Sequence, residues 1–384
     1  MANVLTNLAA DIYLAADRVG RELTGMIPAS TMNTGAAAAA KGDTVRSHFT
    51  RSVAVTTLSP AMAIPEGTDQ TVDNKTMTLN TMDTVEIPWT GEDVRSVNNG
   101  SGFETIYGDQ IAQAMRAHVN KIEAALVTAA RAGASRAYGA ATTTPFGTAN
   151  DYTDASNVLK ILKDNGAGAF DNQLVINTAA GANFLGKQSA VNSAGTDSIL
   201  RQGVLLDLAG MPVRESGQLG SHTAGTAASA TTDNAGYAVG DTVITLASAG
   251  TGTILAGDVI TFAGDTNKYV VVSGDADVSG GGTITLQEPG LRVAMSAATK
   301  AITMIATHSD NLAFSRSAVE LAMRAPADPM GGDAAVDAMV VADPFSGLSF
   351  GVSVYKGRKK AMIAVDALWG VKCWKPEHVA LLLG

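Results

Sequence analysis

The sequence predicts an α+β chain in which an α/β body is interrupted by a small all-β unit. Three observations predict it. A long apolar stripe at helical spacing runs from Phe103 to Ala129, buried strand and helix patterns alternate from Asp154 onward, and short β runs separated by Gly and Asp fill Val239 to Ile305. At 384 residues the chain exceeds one compact core of ordinary size, so two or three folding units are expected.

The elements follow in order. Leu8, Ile12, Ala15, Val19 and Leu23 recur at helical spacing after Leu5, with Asp11, Asp17, Arg18 and Arg21 between them, which predicts an amphipathic helix. Ala36 to Ala40 and Gly42 offer few side chains to fix the chain, so this helix hangs on an arm. Strand runs at Thr44 to Val55 and Thr76 to Trp89 flank a turn-rich middle containing Pro60, Pro65, Gly67, Asp69 and Asp73, which predicts a long hairpin. A two-stranded ribbon is marginal alone, so it must lie on another surface, and a neighbouring subunit is the preferred one.

Ser101 and Glu104 form a capping box for the long helix. Its stripe (Phe103, Tyr107, Ile111, Ala114, His118, Ile122, Ala125, Leu126, Ala129) lasts until Gly133, a strut of about 45 Å. Asp154 caps a shorter helix that stops at Asn165-Gly166, and Leu174 to Ile176 reads as a buried strand leading into another helix. Thr223 to Thr232 reads as a linker or a domain entrance. Beyond it come strand runs at Thr242 to Leu246, Asp258 to Phe262, Lys268 to Val272, Thr283 to Leu286 and Ala301 to Met304, expected to form a sandwich or barrel. Asn311 to Met323 and Leu348 to Leu383 return to strand pattern.

Composition narrows the function classes. Hydrophobic residues make up 46% and charged residues 16%, low for a monomer that keeps its whole surface wet, which implies cover by neighbours. A formal charge of −9 argues against tight wrapping of nucleic acid, which needs clustered Lys and Arg. The single cysteine, Cys373, can close no intramolecular disulfide, which fits a reducing cytoplasm. The N-terminus lacks a basic start followed by an apolar stretch, and no run reaches the ~18 residues of a spanning helix, so neither a secretion signal nor a membrane segment is expected.

Three motifs spell chemistry and fail on context. Gly181 to Lys187 has phosphate-loop spacing, but Gln188 stands where a Mg²⁺-binding Ser or Thr is required, and Phe184 and Leu185 put bulk where backbone N–H groups must wrap phosphate. Gly347-Leu348-Ser349-Phe350-Gly351 spells a nucleophile elbow with Asp366 and His378 following, yet Val352 to Tyr355 continues as a strand where the elbow needs a helix. Asp275 to Gly280 begins like a calcium loop, but Leu286 occupies the bidentate Glu position. His48, His118, His222, His308 and His378 are scattered without metal-ligand spacing, and His118 reads as a satisfied core histidine. No catalytic, cofactor or metal site is therefore expected, and no enzyme.

The order of arm, extended β loop, long capped helix, interrupted α/β domain and closing strands resembles the major capsid (coat) proteins of tailed bacteriophages, in the branch whose A-domain carries an inserted β-rich domain. The closing residues Ala367-Leu368-Trp369-Gly370-Val371 and Lys375-Pro376-Glu377-His378-Val379 are similar to the ending of those coats. The resemblance implies the tailed-phage/herpesvirus capsid fold: an N-terminal arm (1–40), an E-loop (41–98), a P-domain spine helix (99–140), an A-domain (141–222 and 307–345) with an inserted β domain (223–306), and closing P-domain strands (346–384). It further implies self-assembly into hexamers and pentamers of an icosahedral head, first as a procapsid with scaffolding and portal proteins. Packaged double-stranded DNA would be touched only weakly, and no membrane is involved. The location implied is the virion, assembled in the host cytoplasm. An E-loop lying on the adjacent subunit would bury Val53, Val55, Leu79, Val85 and Ile87, and Lys75, the ribbon's one lysine, would be the candidate for the Lys–Asn cross-link of some relatives. Alternatives are an encapsulin-type nanocompartment shell, a Ser hydrolase using Ser349, and a surface adhesin.

Overall fold

The computed structural model describes residues 15, 19–35, 38–50, 55, 57–60, 62, 72–98, 103–148, 151–168, 170–187, 205, 207–330 and 332–384. Most of the expected arm helix and the Ser101–Glu104 cap lie outside them. The Val19 N–H still donates to the Ala15 carbonyl at 3.0 Å, but residues 20–25 are not helical and Leu23 is half exposed. Val19 and Gly20 are already outside a helix, so the expected helix does not extend to Leu23, and Arg21 and Glu22 engage other elements. Next come a one-turn helix α1 (Met26–Ala29) and strand β1 (Thr31–Thr34).

The ribbon departs from expectation. Its first arm is β2 (Thr44–Thr50), but the second run breaks at Leu79–Asn80 into β3 (Val72–Thr78) and β4 (Thr81–Thr90). Among the described residues β2 and β3 pair only with each other, whereas β4 joins the body. The break has a local cause. Leu79 turns inward to a cluster with Met77, Ala322, Leu368 and Trp374, and its N–H donates to the Asp43 carbonyl.

After α2 (Gly91–Asn98) the strut α3 spans Phe103–Ala132, 30 residues and hence about 45 Å. Gly133 then lets the chain pass against Cys373, whose side chain fills the space a Cβ would need. β5 (Arg136–Gly139) precedes α4 (Thr153–Asp164). Asp154 does not cap α4: it lies in the first turn and accepts the Phe146 N–H at 2.8 Å, while Asp151 takes the Thr153 N–H at 2.7 Å. Asn165 and Gly166, at φ +83°, close the helix as expected. β6 (Asn172–Ile176), α5 (Thr178–Lys187), β7 (Val213–Glu215) and β8 (Ser221–His222) follow.

The β runs past the linker are β9 (Val243–Leu246), β10 (Val259–Phe262), β11 (Lys268–Ser273), β12 (Gly282–Leu286) and β13 (Ile302–Met304), closed on a core of Ile244, Ile260, Tyr269, Val271 and Ile284. Asn311 to Met323 divides into β14 (His308–Ser315) and β15 (Val319–Arg324) around a 3₁₀ turn at Arg316–Ala318. β16 (Asp337–Ala342), β17 (Ser349–Gly357), β18 (Lys360–Cys373) and β19 (Val379–Leu383) complete the chain.

Two sheets carry the body. A six-stranded sheet runs β1-β15-β18-β17-β16, with β4 also on β18; an eleven-stranded sheet runs β13-β10-β11-β5-β19-β14-β6-β7, with β12, β9 and β8 attached. Sheet membership crosses the sequence boundary at 345/346. β15 to β18 share one sheet, and β19 returns to the other between β5 and β14. The strut buries Ile111, Met115, Val119, Ile122 and Leu126 against Phe350, Val352, Ile363 and Val365 of the six-stranded sheet, while α4 and α5 cover the larger sheet with Val158, Leu162 and Phe184. The β unit is not a separate bead: β11 pairs with β5, Lys268 Nζ donates to the Gly139 carbonyl, and Gln287 donates to the Ala132 carbonyl at the end of the strut.

Candidate functional site

The three chemical motifs are placed where their chemistry has no footing. Gly181 to Lys187 lies inside α5, with Gly181 buried against Glu215, so no loop is there to wrap phosphate. Ser349 is exposed and opens β17, which continues as a strand paired with β16 and β18. Asp366 is on β18 opposite Gly351, and His378 sits in a 3₁₀ turn before β19. Asp277 accepts the Ser279 N–H as a turn cap, and Leu286 is buried in the β-unit core. Among the described residues no group of three or more His, Cys, Asp or Glu side chains could hold a metal ion, and no helix is long and apolar enough to cross a membrane. The half-buried Cys373 thiol is pushed up to about 12, chiefly by desolvation.

His118 is buried, donates through Nε2 to the Val365 carbonyl at 2.9 Å and stacks on Phe350 at 5.7 Å. His222 and His308, far apart in sequence, come together at the neck of the β unit with ring centroids 5.7 Å apart. Sequence spacing gave no hint of that pair.

The surfaces are more telling than the motifs. At the ribbon tip Val55, Leu58 and Met62 are 99%, 87% and 108% exposed. The ribbon root, by contrast, is fastened: Lys75 Nζ donates to the Trp374 carbonyl at 2.5 Å, and Met77 and Leu79 are buried. A second apolar surface lies on the free edge strand β16, where Val340 is two-thirds exposed, with Val336 and Phe345 beside it half exposed. An open groove of about 560 Å³ runs between β4 and the strut, lined by Val85, Ile87, Pro88, Ile106 and Ala114.

The N-terminal strap crosses the strut through a buried carboxylate missed in the sequence. Glu123 accepts the Met26 and Ile27 N–H groups at 2.7 and 2.9 Å and the Ser216 hydroxyl at 2.7 Å. Burial raises its pKa against the pull of these donors. The available signal was position: Glu123 falls four residues after Val119 and three before Leu126, on the buried stripe. Arg116 and Asn120 bind Glu22, holding its carboxyl down to about 2, and Arg21 pairs with the buried Asp343 at 2.8 Å.

No family model matches the chain, and no curated protein matches it. Among solved structures it is similar to one from Mycobacterium phage Che8 (14% identity, 96% of this chain and 90% of that one, TM-score 0.42). It is also similar to the capsid structure of the cyanophage P-SCSP1u (13%, 95% and 89%, TM-score 0.47) and to a virus-like particle from Pyrococcus furiosus (9%, 98% and 97%, TM-score 0.41). Likeness at this distance carries no argument about what the chain does.

Proposed function

We propose that the chain is a non-enzymatic shell subunit, the major capsid protein of a tailed phage, which assembles with copies of itself into hexamers and pentamers around double-stranded DNA. The observation that carries this reading is the ribbon: a two-stranded sheet, paired with no other strand among the described residues, whose described tip residues Val55, Leu58 and Met62 are almost fully exposed. Such a tip needs a receiving surface, and the edge strand β16 and the β4–strut groove are apolar surfaces elsewhere on the same chain. Contacts between two different surfaces of identical subunits are heterologous, and they propagate into rings and closed lattices. In this reading residues 1–40 are the arm, 41–98 the E-loop, 99–140 the spine, 223–306 the inserted domain, and the remaining segments the A- and P-domain parts. Scaffolding and portal proteins are the expected partners, the host cytoplasm the place of assembly and the virion the destination. The net charge of −9 suits a lining that contacts the genome without gripping it.

Negative-stain microscopy and sedimentation of the expressed full chain test the proposal, with and without a scaffolding partner. Closed shells or capsomer rings are expected. A chain that stays monomeric at high concentration in both arms and turns over an ester substrate would overturn it in favour of the Ser349 hydrolase reading. Shells that recruit a protein cargo and exclude DNA would instead mark an encapsulin-type compartment.

A further inference from the structure

The neck of the β unit is built around buried charge. Its outgoing and returning strands meet at β8 and β14, with His222 registered opposite His308. His308 is buried. Its Nδ1 lies 2.8 Å from the Ala306 carbonyl and its Nε2 3.1 Å from Asp310 Oδ1. A carbonyl and a carboxylate both only accept, so a neutral imidazole, with one N–H, would turn a lone pair toward one of them. Only the doubly protonated ring turns an N–H toward both, the Nδ1 side as a hydrogen bond and the Nε2 side as a close charge contact with the carboxylate. Asp310 is itself fully buried, and its other oxygen is 2.5 Å from Arg131 Nε at the end of the strut.

The remaining groups at the neck belong to the β unit and its linker. His222 Nε2 is 2.8 Å from Asp258 Oδ1, and the same buried carboxylate accepts the N–H groups of Gly225 at 3.0 Å and Leu255 at 2.6 Å. The Ala224 N–H donates to Thr307 Oγ1, and Ser309 exchanges backbone bonds with Gly384 at the end of β19. The charged and titratable side chains facing the His308 ring are thus Asp310 on its own strand, Arg131 on the strut, and His222 with Asp258 from the β unit.

We propose that His308, as an imidazolium, bolts the neck of the β unit (β8 and β14, which flank 223–306) to the strut through Asp310 and Arg131, so that the neck is tight in mildly acidic and neutral solution and loosens in alkaline solution. The sign follows from the environment. Burial, the largest single influence, and the Arg131 charge pull the His308 pKa down, but hydrogen bonding to Asp310 and Ala306 and the Asp310 charge outweigh them, so the pKa ends raised. A histidine raised on folding contributes stability that is complete below its unfolded value near 6.5 and is lost as pH climbs through the higher folded value. The seam between β11 and β5 keeps the unit attached when the neck opens, so release is local.

Histidine C2 hydrogen exchange read by mass spectrometry on the full chain gives the titration of His308 directly, and amide exchange of 220–225 and 306–310 reports the neck. The expected result is a His308 midpoint above 6.5. Neck exchange should also rise ~5-fold beyond intrinsic base catalysis from about pH 6 to about pH 9. His308→Gln, which supplies a donor without charge, should exchange at the open level at every pH. A wild-type midpoint at or below the ordinary histidine value, or neck exchange that follows intrinsic base catalysis alone, overturns the proposal. Both wild-type readouts decide it even where the variant does not fold.

Discussion

β4 and the β2–β3 ribbon come from one stretch of similar strand pattern, yet they meet opposite fates. β4 registers with β18 over ten residues, alternates half-buried with exposed side chains, and packs Val85 and Ile87 onto the main core. Among the described residues β2 and β3 share a ladder only with each other, fastened to the body at the root by Lys75 and Met77, and the chain between them places Val55, Leu58 and Met62 in the open. The expectation that all the ribbon's apolar residues wait for a neighbour is therefore corrected in part: Leu79 is buried by its own chain, Val85 and Ile87 are half covered by it, Val55 is exposed, and Val53 lies outside the described residues. The lesson is one of division. Period-two apolar patterning says that a face must be covered, but only the presence of a free strand edge such as that of β18 says by whom.

If β4 depends on the body and the ribbon does not, emptying the core beneath β18 should affect them unequally. Phe350 is fully buried on β17 between the sheet and His118 of the strut. Phe350→Ala is expected to destabilise the subunit by about 3–5 kcal/mol in urea denaturation, with amide protection lost from β4 more than from β2–β3. Equal loss in both would show that ribbon and body unfold as one unit. The strap gives the next largest effect. Glu123→Gln turns an amide NH₂ toward N–H groups that now donate to a carboxylate, and a cost of about 1.5–3 kcal/mol is expected from the same denaturation curves. A change too small to measure there would mean that the strap holds without its carboxylate anchor.

Much of the fold was legible because local patterns were decisive. The strut, the close of α4 at Asn165-Gly166 and the five strands of the β unit follow from periodicity and turn chemistry. The misjudged positions were those set by tertiary partners. Leu79 breaks a strand because a pocket of Met77, Ala322, Leu368 and Trp374 receives it, and β19 leaves its neighbours in sequence because β5 and β14 leave a gap for it. Of the candidate site, the exposed tip was foreseeable from the unpartnered ribbon. Glu123 was signalled only by its place on the strut's buried stripe, and the His222–His308 pair not at all, since the partners of a buried charge are distant in sequence.

A weaker effect separates the strap's surface from its core. Glu22 is held down to about 2, first by Arg116 and then by Asn120. A depressed carboxyl contributes stability above its unfolded value near 4.5 and loses it as pH falls through the folded value. The pair is about a third exposed, so solvent screening keeps the contribution below ~1 kcal/mol. The stability difference between wild type and Glu22→Gln should be small at neutral pH and vanish as pH drops to about 2, which acid titration followed by circular dichroism would read.

The smallest effect on stability belongs to the tip, and it is the most informative. Leu58 and Met62 touch little of their own chain, so Leu58→Ser with Met62→Ser should leave denaturation of dissociated subunits within ~0.5 kcal/mol of wild type. Val85→Ser with Ile87→Ser, in contrast, strips side chains that already pack on the core and should lower that stability measurably. Sedimentation then completes the comparison. The tip pair should abolish or sharply reduce assembly while the subunit stays folded, because its apolar side chains have no other cover; the β4 pair, which packs on the core and also lines the groove, should lower stability and assembly together. A tip variant that assembles like wild type would place the intersubunit contact elsewhere, leaving the edge of β16 as the surface to mutate next.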